Sequence, residues 1–123
     1  MNGVPDECFP RHHRLRSRAD FQRVHASDVF AADGVLVVRG CANGLSCARL
    51  GLSVSRQVGP AVVRNRWKRL IREAFRRTRP QLPVGCDFVV RPRRGARPDY
   101  RQILASLPRL ARQLARRLAQ RET

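Results

Sequence analysis

Lysine is nearly missing from this chain. Of its 26 Lys and Arg residues only one, Lys68, is a lysine. Acids are scarce too: 9 Asp and Glu leave a formal net charge of +17, and none occurs between Gly34 and Arg72. Such an imbalance points to a polyanion, either nucleic acid or an anionic surface. The arginine bias runs the whole length, so composition alone does not locate a binding face. There is no apolar run long enough to span a bilayer, and the N-terminus lacks the basic-then-apolar order of a signal peptide. A cytoplasmic protein with no membrane partner is expected. The four cysteines (Cys8, Cys41, Cys47, Cys86) show no C-x-x-C spacing, which suits free thiols in a reducing compartment. Cys8 with His12 and His13 fits no standard zinc spacing, and no metal site is expected in the protein. Carboxylates are not paired for acid–base work, no Ser or Cys is placed with His25 by a local motif, and Gly51, Gly59 and Gly85 form no phosphate loop. These absences disfavour an autonomous nuclease. A binding protein without catalytic residues of its own is the expectation.

What is present reads as one α+β domain. Residues 1–16 are polar with two prolines and are expected as a flexible basic arm, 17–119 as a single RNA-binding domain, and 120–123 as a flexible tail. Ser17-Arg18-Ala19-Asp20 has the form of a capping box, opening a short helix to about Ala26 with Phe21 and Val24 on one face. Gly34 to Arg39 is rich in β-branched residues and reads as a strand. Asn43-Gly44 is a hairpin signal, and Ala48 to Val54 alternates as the returning antiparallel strand. In that register Cys41 faces Ser46. Cys86 to Pro92 is a further strand, with Phe88 and Val90 on one face and Asp87 and Val89 on the other. Arg91, Arg93, Arg94 and Arg97 form a second basic cluster in the following loop. Asp99 with Gln102 opens a last helix, which Pro108 is expected to kink or restart. Leu110, Leu114 and Leu118 continue its apolar stripe. The sheet should hold three to four strands, mixed, with helices packed on it and a strand–helix–strand crossover.

The most informative stretch is Arg49 to Arg76. From Val63 the apolar positions are Val63, Trp67, Leu70, Ile71, Ala74, Phe75 and Thr78, a helical stripe about 140° wide. Asn65, Lys68, Arg69, Arg72, Arg76 and Arg79 share the opposite arc, while Arg66, Glu73 and Arg77 line one edge. Gly59 is read as N-cap and Pro60 as the first helical residue, and Arg79-Pro80 ends the helix. Glu73, the only acid on this helix, can relieve repulsion from Arg69 and Arg77 one turn away on either side. Solvated helix faces usually mix both signs. A nearly pure Arg/Lys face suits phosphate oxygens.

The run GLSVS followed by GPAVVRNRWKRLIREAFR resembles the signature of the bacterial ribonuclease P protein subunit. Its core is Arg64-Asn65-Arg66, then Lys68-Arg69 and Arg72-Glu73. Weaker similarity covers Leu15 to Leu107, including Asp20-Phe21 and Asp87-Phe88-Val89-Val90. The resemblance implies a left-handed crossover through the central helix. It also implies that a separate RNA subunit is the catalyst, using Mg²⁺ to remove the 5′ leader of precursor tRNA. The protein would bind that RNA subunit and the leader. Arg64, Asn65, Arg66, Lys68, Arg69, Arg72 and Arg76, with Arg93 from the second cluster, are then expected at RNA. A cleft between the first helix and the sheet would take the leader, with Phe21, His25 and Arg39 as its contacts. His25 stands where relatives often carry an aromatic, as does Arg39 on the following strand; either can still stack on a base. Core packing is the competing role for Phe21, and an ion pair with Glu73 the competing role for Arg66. Other readings are a ribosomal protein, which composition does not separate from this one, and a DNA-binding helix, which the element order does not resemble. No DNA partner is expected.

Overall fold

The computed structural model describes residues 14–15 and 17–122. Cys8, His12, His13 and most of the expected arm lie outside them. Three helices and four strands follow in the order α1 (Arg18–Ser27), β1 (Phe30–Ala32), β2 (Leu36–Ala42), β3 (Arg49–Leu52), α2 (Ala61–Thr78), β4 (Cys86–Pro92) and α3 (Tyr100–Glu122). The sheet is mixed, with strand order β1-β2-β4-β3. This is the expected α+β class.

The Ser17 hydroxyl accepts the Asp20 backbone N–H at 3.0 Å and starts α1, half of the predicted capping box. The helix stops at Asp28, which adopts φ 55°. The hairpin is not where the sequence signal put it. β1 and β2 form it, pairing antiparallel through Ala32↔Val37. Its turn is closed by the Asp33 carboxylate, which accepts the N–H groups of Val35 and Leu36 at 2.8 and 2.9 Å, as Asp does in turns.

Asn43-Gly44 does turn the chain, but β2 and β3 never pair. β4 lies between them, antiparallel to β2 and parallel to β3, and Cys41 is opposite Asp87, not Ser46. The physical reason lies in burial. Residues 86–90 of β4 are buried on both faces, whereas β3 is short and carries Gly51. A strand buried on both faces belongs in the middle of a sheet, and the short strands take the edges.

α2 crosses from β3 to β4 and packs beside α3 on one face of the sheet. Trp67, Ile71, Ala74 and Phe75 meet Leu36, Val38, Phe88, Val90, Ile103, Leu107, Leu110 and Leu114 there. The predicted apolar stripe is the buried one, and Trp67 is core. The cap is displaced by one residue: Pro60 is the N-cap, and Gly59, at φ 152°, closes a 3₁₀ turn over Arg56–Val58. α3 runs through Pro108 as one helix and continues to Glu122, into the stretch expected as a tail. Its approach is close: a Cβ on Gly40 would sit 2.6 Å from Leu114 Cδ2. On the other face of the sheet, α1 buries Val24 against Cys41, Val89 and Leu15, with Phe21 partly buried beside them. Among the described residues no helix is long and apolar enough to cross a membrane.

Candidate nucleic-acid interface

α2 exposes Asn65, Arg66, Arg69, Arg72 and Arg76, and half-buries Arg64 and Lys68. Arg64 turns back to donate from Nε to the Gly59 carbonyl at 3.2 Å, so it braces the loop before the helix. Glu73 makes no ion pair with Arg69, Arg77 or Arg66, although the charge of Arg77 also favours its ionised form. It pairs with Arg76, accepting at 2.9 and 2.6 Å, one helical turn away. Hydrogen bonding to Arg76 holds the Glu73 carboxyl below its usual pKa. The ion pair considered for Arg66 is therefore not made, and Arg76 is the signature-face arginine that meets an acid. Arg66, Lys68, Arg69 and Arg72 keep no acid partner among the described residues.

Two hollows flank the β3 edge. One is lined by Arg14, Leu50, Arg69, Arg72, Glu73, Phe75, Arg76 and Arg79. The other joins Leu15 and Phe21 from the α1 side to Lys68 and Arg72 from α2, with Leu50 and Leu52 between. The central helix and the cleft by the first helix are thus continuous, where the sequence treats them as separate surfaces. Phe21 reaches this position because Gly51 has no side chain: a Cβ there would lie 2.9 Å from the ring. The ring packs on the smaller core, the competing role weighed for Phe21, and also lines a hollow. Arg14 and Leu15, assigned to the flexible arm by sequence, instead extend the sheet edge; the Leu15 N–H donates to the Leu50 carbonyl at 2.8 Å.

His25 is exposed, with Nδ1 2.8 Å from the Phe21 carbonyl. It does not line the hollow. Arg39 lies on the α1 side of the sheet, with its guanidinium 5.5 Å from the centre of the Phe30 ring. Arg93 lines a third hollow with Arg91, Arg94, Ser53, Ser55 and Gln57, apart from the α2 cations.

Beneath α1 lies a polar cluster that sequence reasoning missed. The Asp87 carboxylate is fully buried. It accepts from Asn43 Nδ2 at 2.9 Å and from Arg49 Nε and Nη2 at 2.8 Å each, and from Arg23. Burial alone would raise its pKa, but the bonds from Arg49, Asn43 and Arg23 outweigh burial and hold it below the usual carboxylate value. Asp20 adds a second contact to Arg23 at 3.2 Å. This cluster ties α1 to β3 and β4. The available signal was an acid inside an otherwise apolar strand, which must find partners. Among the described residues no group of three or more His, Cys, Asp or Glu side chains is placed to hold a metal ion, and the oxygens of Asp87 are taken. The residues present do not fit a Mg²⁺ site.

Fold and surface together define a small basic α+β protein that presents cations along one helix beside an aromatic-bearing groove. The Ribonuclease P family profile matches residues 9–115. The chain belongs to the ribonuclease P protein family. It is 38% identical over 97 residues to the ribonuclease P protein component of Thermotoga petrophila, covering 79% of this chain and 83% of that one. It is 40% identical over 120 residues to that of Desulfovibrio desulfuricans, covering 89% and 88%. The structure of the RNase P protein from Thermotoga maritima superposes with a TM-score of 0.75 at 35% identity, over 81% of this chain and 96% of that one.

Proposed function

We propose that this chain acts as the protein subunit of ribonuclease P, binding the catalytic RNA subunit through the outer face of α2 and the 5′ leader of precursor tRNA beside Phe21. The observation that carries this reading is the hollow in which Phe21 meets Lys68 and Arg72. An aromatic ring flanked by cations that have no acid partner is what single-stranded RNA requires: a stacking surface, and charge for the phosphates. Arg66, Arg69 and Arg72 offer guanidinium forks to phosphate oxygens, and Asn65 can both donate and accept. On this reading Mg²⁺ is held by RNA, hydrolysis of the phosphodiester is the RNA subunit's chemistry, and the site of action is the cytoplasm.

The test is affinity. The chain assembled with a bacterial ribonuclease P RNA should bind leader-bearing precursor more tightly than leaderless tRNA, and Phe21→Ala should remove part of that difference. Equal affinities for the two substrates would overturn the leader assignment.

A further inference from the structure

The six arginines of α3 divide into two sets. Arg109 pairs with Asp33, while Arg117 and Arg121 donate to the carbonyls of Phe30 and Ser27. These three fasten the helix along the β1 side of the sheet. Arg101, Arg112 and Arg116 are exposed and meet no acid among the described residues. At about 100° per residue they share an arc of about 60° and extend about 22 Å along the axis. The other residues on that arc, Ala105 and Ala119, are exposed and too short to obstruct them. No Asp or Glu occurs from Tyr100 to Arg121.

Ile103, Leu110 and Leu114 lie on the opposite side of α3 and are buried, so the arginine strip points away from the sheet. α1 and Phe21 are across the sheet from it. The hollows beside the signature cations open at the β3 edge, whereas α3 packs on β1 and β2. The strip is therefore a surface of its own, turned away from both.

Its chemistry selects among anions. A helix that lies in a membrane surface buries large apolar side chains there. The exposed large apolar residues are Phe30, Val62 and Val84, none of them on α3. An unpaired strand needs aromatic rings to stack its bases, and the strip has none. Paired RNA needs neither, because it is held by its phosphates and 2′-hydroxyls. Gln102 and Gln113 run along one margin of the strip, and a side-chain amide can both donate to and accept from a hydroxyl.

We infer that the outer face of α3 binds the sugar–phosphate backbone of paired RNA, with Arg101, Arg112 and Arg116 neutralising phosphates and Gln102 and Gln113 meeting 2′-hydroxyls. The site goes beyond the function proposed above and does not depend on leader binding beside Phe21.

The experiment combines Arg101→Gln, Arg112→Gln and Arg116→Gln in the full chain, beside the matching triple Lys variant. Arg112 and Arg116 repel each other across one helical turn, so removing their charge does not threaten the fold. Binding is followed across a range of salt to an RNA duplex of about 16 base pairs, to a DNA duplex of the same sequence and to an oligouridine of the same length. On the RNA duplex the Gln variant should lower the slope of log affinity against log salt by about two to three, and the Lys variant should keep it. Oligouridine should bind all three proteins alike. Gln102→Ala with Gln113→Ala should narrow the preference of wild type for RNA over DNA duplex. An unchanged slope in the Gln variant, an equal fall in the Lys variant or an equal loss on oligouridine overturns the proposal. So does an RNA preference that both Ala substitutions leave intact. Loss of binding to anionic phospholipid vesicles, with the duplex slope unchanged, would assign the face to a membrane instead.

Discussion

Two groups of arginines in this molecule have opposite surroundings. Arg23 of α1 and Arg49 of β3 converge on the buried Asp87, with Asp20 beside them. Arg66, Arg69 and Arg72, with Lys68, stand on α2 without an acid partner among the described residues. The residue type is the same, and composition gives no hint of the division. Asp20 and Asp87 are spent on the α1 side, where they lock a helix to the sheet, so the α2 cations stay available for an external anion. The first group should govern stability and the second should govern binding, with little exchange between the two effects.

The largest expected effect lies in the first group. Asp87→Ala strands two arginines against a buried site, and removing one partner of such a cluster costs about 3 kcal/mol or more. In a domain of this size that lowers Tm by about 12 °C or more, measured by thermal unfolding without RNA. A loss below about 0.5 kcal/mol would show that the cluster does not hold α1 in place.

The same carboxylate sets a pH dependence. Its folded-state pKa lies below the unfolded value, so its stabilisation is complete above the ordinary Asp pKa of about 3.9 and is lost as pH falls through the lower folded value. Denaturant unfolding between about pH 5 and pH 2 should show wild type losing stability that Asp87→Ala never had. Parallel pH profiles would contradict this.

Binding variants come next. Arg72→Gln should leave stability within about 0.5 kcal/mol and flatten the salt dependence of RNA binding by about one unit of slope. A variant that unfolds but binds normally would reverse the comparison. The smallest effect belongs to Glu73→Gln, which frees Arg76 from its acid. RNA affinity should rise slightly and the salt slope should steepen by at most about one. No change in slope would mean that Arg76 faces solvent in the complex.

How much of this was legible follows from what periodicity can encode. The stripe from Val63 to Thr78 gave both the buried and the cationic face of α2, because a 3.6-residue period reports which side is covered. The strand over Cys86–Pro92 was legible from its apolar run. Which strand lies beside which was not: Asn43-Gly44 has hairpin chemistry, yet it serves a turn whose Asn43 amide is committed to Asp87 and the Cys47 carbonyl. β1 escaped because three residues, Phe30-Ala31-Ala32, carry no periodicity. The signature cations were found by pattern, but their continuity with Phe21 depends on Gly51 letting the ring down onto the sheet. That is a contact between distant segments, and no local window contains it.

The central claim is that this chain supplies binding surface and leaves the chemistry to RNA. The most direct measurement is cleavage of precursor tRNA by a bacterial ribonuclease P RNA at low Mg²⁺, with and without the chain. The account predicts faster cleavage with the chain present, and no cleavage by the chain alone. Equal rates with and without it, or cleavage without the RNA, would contradict the account.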